Sequence, residues 1–207
     1  MAYTLSTMID AVECLLKDSS NTYFSTTEIQ DAIEWALAIY SYRVRQRSKG
    51  VISDVDGQYE YSLSTLTGLL QVTRVWWPYD SSDPDHPPNW VKWFMLDDDT
   101  LYLDVPTEPD GTEVIRVFYT KGHTIKDLDS ATETTLDDAG CVLLIMGAAG
   151  RVVLSQAREV IDTINVSSSV TGDWESWGRT FMKDFYDGLD QITSSERMVD
   201  DARVSWG

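Results

Sequence analysis

Apolar residues recur every three or four positions at both ends of the chain and every second position in its middle. Leu5, Met8, Ile9, Val12, Leu15 and Leu16 form one stripe, which predicts a helix over 4–17. Ser25-Thr26-Thr27-Glu28 fits a capping box, with Phe24 and Ile29 at the positions of a hydrophobic staple. It opens a second predicted helix, striped by Ile29, Ile33, Ala36, Leu37 and Tyr40, that runs to about Arg47 and ends near Gly50. After Gly50 the period becomes two. Runs at 51–55, 58–63, 69–77, 90–96, 100–105 and 113–119 read as strands. Asp56-Gly57 between the first two is a hairpin signal. Helical period returns over about 136–160 and 173–199. Gly147 and Gly150 fall inside the third predicted helix. Glycine costs about 1 kcal/mol there relative to alanine, which predicts close approach of another helix.

The pattern predicts an α+β fold: a small helical bundle with an inserted antiparallel β-sheet subdomain and a long C-terminal helix. Residues 1–50 would be the first part of the helical domain, 51–121 the β-rich insertion and 122–166 the returning helix. Residues 167–199 would be the C-terminal helix, after a break at Ser167-Ser168-Ser169, and 200–207 a tail.

Charge adds direction. The 207-residue chain carries a net −18, which argues against general affinity for nucleic acid or for an anionic membrane surface. Residues 51–121 hold 4 basic and 13 acidic groups, the most acidic part per residue. Residues 1–50 are nearly neutral at −1, and 122–207 carry −8. Cys14 and Cys141 lie in apolar helical patterns and read as buried free thiols. The N-terminus lacks the basic start and apolar core of a signal peptide, and no apolar run approaches the ~18 residues of a membrane span. The expectation is a soluble protein made in the cytoplasm.

Catalytic and metal motifs are sparse. The histidines are His86 and His123, both read as loop residues, and no Cys-x-x-Cys, His-x-x-x-His or phosphate loop is present. Asp54-Val55-Asp56-Gly57 matches only the start of a calcium loop and reads as the hairpin turn. Asp80, Asp83 and Asp85, like Asp97-Asp98-Asp99, read as exposed acidic loops. Nothing selects a pair of carboxylates for acid–base work, so no enzyme, metal or cofactor is expected.

Trp76, Trp77, Tyr79, Trp90, Trp93 and Phe94 concentrate in the insertion. Neighbouring strand residues face opposite ways, so Trp76 and Trp77 cannot both be core in a one-sided sheet. Three readings stand: a protein interface anchored by these rings, ordinary packing, or a carbohydrate-binding module using the Trp76–Trp93 cluster. The basic cluster Arg43, Arg45, Arg47 and Lys49 reads as a solvated helix end, or as a contact with DNA or an acidic neighbour. Arg203, Val204 and Trp206 make the tail a candidate docking peptide.

Several segments, taken in order, resemble the head–tail adaptors of tailed bacteriophages, also called connector or head-completion proteins. Tyr3-Thr4-Leu5, Leu15-Leu16-Lys17-Asp18, Tyr23-Phe24-Ser25-Thr26-Thr27-Glu28-Ile29 and Ala32-Ile33-Glu34-Trp35-Ala36 are similar to the family's opening helix pair. Asp56-Gly57-Gln58-Tyr59-Glu60-Tyr61-Ser62-Leu63, Leu70–Pro78 and Val117–His123 resemble strands of the insert in its longer members. Thr134-Thr135-Leu136 with Leu143–Ala149 resembles the returning helix. The likeness covers about residues 3–160 and is one of layout and loose motif. It implies a ring, typically of twelve copies, in the virion neck. Such a ring docks on the portal protein, extends the DNA channel and joins the tail or next neck protein, with DNA passing through the lumen without specific binding. It implies no catalytic residue, no cofactor and no membrane partner.

Overall fold

Reciprocal side chain–backbone bonds start the first two helices. In α1 (Leu5–Leu16) the Thr4 amide donates to the Thr7 hydroxyl at 2.8 Å and the Thr7 amide returns to Thr4 Oγ1 at 3.3 Å. In α2 (Thr26–Arg43) the Ser25 amide donates to Glu28 Oε2 at 2.7 Å, and the Glu28 amide donates to Ser25 Oγ. Such caps contribute about 1 kcal/mol each by satisfying amides that have no partner within the helix. The computed structural model describes residues 3–80, 88–162 and 168–204. Among these are four helices and two three-stranded antiparallel sheets, an α+β fold with a long C-terminal helix. The chain divides into a unit formed by 1–44 with 123–207 and a second formed by 45–122.

In the helical unit, α3 (Asp138–Asp162) packs against α1, α2 and α4 (Ser168–Val204). Met8, Val12, Ile29, Ile33, Leu144, Ala148, Phe185 and Leu189 form its buried centre. Burying each large apolar side chain contributes roughly 1.5–3 kcal/mol. Asp138–Arg158 is apolar enough by composition to cross a membrane, with a mean hydropathy of 1.6, contrary to the expectation from run length. Half of that stretch is buried against its neighbours, as befits a central core helix. Cys141 is buried, and burial first, then the charges of Asp138 and Asp137, push its thiol up to about 11. Cys14 is exposed, not buried as its pattern predicts, because it lies off the face that carries Met8, Val12 and Leu16. Residues 168–169 and 200–204 are helical, so α4 extends beyond the expected break and into the expected tail.

α2 stops at Arg43 and Val44 is extended. Arg45, Arg47 and Lys49 are therefore not on a helix end: β1 spans Gln46–Ser53, and its exposure alternates residue by residue. The other strands are β2 (Glu60–Ser62), β3 (Leu69–Trp76), β4 (Lys92–Met95), β5 (Thr100–Asp104) and β6 (Val114–Lys121). They form sheets of order β1-β6-β3 and β2-β5-β4. The predicted hairpin around Asp56-Gly57 does not form. Gly57 turns the chain at φ 71°, but β1 then pairs with β6 along its length and β2 pairs with β5 in the other sheet. Burial explains the exchange: Tyr61, Leu101 and Leu103 on one sheet and Val72, Val75, Ile115, Val117 and Tyr119 on the other share one core. Thr73 sits at a register shift in β3 that lets Val72 and Val75, three apart, both face inward.

Candidate functional site

The register places Lys49, Phe118 and Arg74 side by side across the first sheet, with Val51, Arg116 and Trp76 in the next row of that face. These residues point away from the shared core. Arg47 lies opposite Thr120, which lies opposite Gln71. Arg45 Nη1 donates to Gln71 Oε1 at 2.7 Å, bringing a fifth cation to the same face.

The segment after residue 88 completes this surface. The Trp77 amide donates to the Asn89 carbonyl at 3.1 Å and the Val91 amide to the Val75 carbonyl at 3.1 Å, so Trp90 bridges to Trp76 at the edge of β3. The Trp76 ring meets Tyr79 edge-on at 4.9 Å and Trp90 at 6.2 Å, and Trp90 meets Phe118 at 5.5 Å. The Arg116 guanidinium stands 4.2 Å over the Tyr79 ring, and that of Arg74 stands 5.3 Å over Trp90. Cation–π contacts of this kind stabilise by about 0.5–2 kcal/mol, more as they are desolvated.

Trp76 and Trp77 are both buried, at 7% exposure each, but on opposite faces, as the alternation of strand residues requires. The sheet is not one-sided in packing: Trp77 enters the shared core, while the Arg116, Tyr79 and Trp90 side chains cover Trp76 on the other face. The Trp77 indole N–H donates to Asp54 Oδ2 at 3.3 Å, and Asp54 Oδ1 accepts from the Glu113 amide at 2.9 Å. Asp54 is thus a buried structural acceptor. Of the four predicted aromatic contact residues, Trp76, Trp77 and Tyr79 are buried and Trp90 is 46% exposed. A sugar platform needs open ring faces, and Trp90 already carries Arg74 over its ring. An open cleft of about 730 Å³ lies beside Trp90, with Asp104, Glu108, Asp110 and Glu113 among its lining residues.

The predicted basic cluster is divided. Arg45 and Arg47 belong to the β face. Arg43 ends α2 in the helical unit, where it pairs with Asp190 at 2.5 Å and lies 5.4 Å over Tyr186. Both charges are well exposed, so this pair contributes at most about 1 kcal/mol. Arg203 and Val204 are in the last turn of α4, and Trp206 lies outside the described residues, as do Asp83, Asp85 and His86.

The outer face of the second sheet is different, and sequence reading did not single it out. Glu60, Tyr102 and Phe94 form one row, and Asp104 lies opposite Lys92. Tyr59 stacks on Tyr102 at 6.1 Å. Phe94 and Leu96 are each 54% exposed beside the Asp97-Asp98-Asp99 turn. The Thr100 hydroxyl and the Asp99 amide hold the Asp97 carboxyl below its ordinary value, so it stays ionised. No group of three or more potential metal ligands occurs among the described residues. His123 packs edge-on against Tyr40 at 5.3 Å, with its ring Nδ1 3.3 Å from the Thr135 carbonyl.

No family model matches the chain. Over 165 residues, 75% of this chain, it is 26% identical to Bacitracin synthase 2 of Bacillus licheniformis. The chain spans 6% of the length of that protein, and this identity does not assign it to that protein's family. Among solved structures it is similar to a chain from the neck of a native GTA particle computed with C12 symmetry. That match covers 84% of this chain and 91% of the other at 12% identity, with a TM-score of 0.30, too low to carry an argument about function.

Proposed function

We propose that the chain is a structural head–tail adaptor of a tailed-phage neck, acting by assembly and not by catalysis. The observation that carries this reading is the layout. Two N-terminal helices and a returning pair build one helical unit, and a β unit occupies the chain between Val44 and His123. This is the order of elements that the adaptor resemblance implies. In the proposed role the copies form a ring that docks on the portal, extends the DNA channel and receives the tail or next neck protein. The net charge of −18 suits a channel that duplex DNA crosses without binding, since acidic walls repel phosphate.

Electron microscopy of the purified protein, alone and mixed with the portal of its own particle, tests the proposal. Rings with a central channel, or a new collar on portal rings, are the expected result. Protein that forms no ring and leaves portal rings bare would remove the reading.

A further inference from the structure

We infer that the β unit joins to a second copy of this chain head to tail, the cationic face of one copy seating on the acidic face of the next. Between Arg45 and Gly122 there are seven lysines and arginines, and five of them (Arg45, Arg47, Lys49, Arg74 and Arg116) share the outer face of the β1-β6-β3 sheet. The other two are Lys92 and Lys121. Glu60, Asp104 and, opposite Asp104, Lys92 stand on the outer face of the other sheet, and Asp97, Asp98 and Asp99 in the adjoining turn make it net acidic. The two sheets share one core, and both faces turn away from it.

Each face has the make-up of an interface. Val51 (53% exposed) and Trp90 (46%) give the cationic face an apolar centre. Phe94 and Leu96, each 54% exposed, do the same on the acidic face. Apolar anchors within a charged rim, with opposite sign on the two sides, supply both contact and register. Pairing the cationic patch of one copy with the different, acidic patch of the next is a heterologous contact. Repeated, it generates a chain of copies, which closes into a ring when the rotation per copy allows it. The inference rests on the assembly reading above and names the surfaces that assembly would use.

The test is a charge-swap experiment on the full chain, read by sedimentation velocity. One variant carries Lys49→Glu with Arg74→Glu; the other carries Glu60→Lys with Asp98→Lys. Circular dichroism and melting curves establish that both are folded. The wild type should self-associate, more weakly as salt is raised. Each variant alone should associate about 100-fold more weakly. An equimolar mixture should recover most of the loss, since each altered face then meets a complementary one. Wild type that is monomeric at about 0.1 mM in low salt, near the weak end of specific affinities, would overturn the inference. Variants that assemble like wild type, or folded variants that fail to rescue each other, would do the same. So would binding of a short DNA duplex by the cationic face without self-association. Rings that persist in both variants would overturn the inference while leaving the adaptor reading intact. Charge-dependent open chains that never close or dock on a portal would do the reverse.

Discussion

Asp18 shows how much one loop residue can organise. Its carboxylate accepts from the amides of Thr22, Tyr23 and Phe24 at 2.9, 2.8 and 2.9 Å, closing the turn between α1 and α2. Burial raises its pKa, but these three bonds prevail and hold it below the ordinary 3.8. A depressed folded value stabilises the protein above 3.8 and loses that contribution as pH falls through the folded pKa. Asp18→Asn should lower the Tm at neutral pH by roughly 5 °C and remove this part of the acid-side decline, as thermal melts from pH 2 to pH 7 would record. In the sequence, Asp18 is only one polar residue in a loop, because its three partners are set by the path of the folded backbone. The Ser25–Glu28 box was legible, being a contact over three residues.

At the scale of elements, α3 and α4 meet through glycine. A methyl group on Gly150 would lie 3.0 Å from the Met182 backbone nitrogen and 3.1 Å from the Gly178 carbonyl oxygen. One on Gly147 would lie 2.9 Å from the Phe185 ring. This is the close helix approach that the two glycines predict. Gly172, in α4, has nothing within 4 Å of that position. The same substitution should therefore act with opposite sign at two helical sites. At Gly150 overpacking costs about 1–3 kcal/mol and helix propensity returns about 1 kcal/mol, so Gly150→Ala should lose about 1 kcal/mol net. Gly172→Ala should gain about 0.5–1 kcal/mol. Urea unfolding of both variants would measure the two signs.

The helices and most strands were legible from period, but the Val44–Gly50 passage and the strand partners were not. Arginine, glutamine and lysine extend a helix as readily as they line an exposed strand. What decides is the β1–β6 ladder, formed with residues 114–121 far along the chain. The aromatic richness of the candidate surface was visible in composition. Of its cationic half, Arg45, Arg47 and Lys49 were visible as a cluster, but Arg74 and Arg116 were not, because β3 and β6 bring them from far along the chain.

At the scale of the whole molecule, the point of departure and the point of return of the β unit are neighbours. β1 begins at Gln46, its partner across the ladder is Lys121 at the end of β6, and paired backbones of this kind lie about 5 Å apart. A linker of about three residues spans such a gap. Replacing residues 45–122 by Gly-Ser-Gly should leave a folded helical protein, with a helical circular dichroism spectrum and a single cooperative melt. Loss of cooperativity would show that the helical core depends on the excised part. The pairing of Gln46 with Lys121 also bears on inheritance: one recombination at a single junction could give or take the entire β unit without displacing a helical residue. Lineages could thus exchange the surface that the β unit presents while keeping the same helical frame.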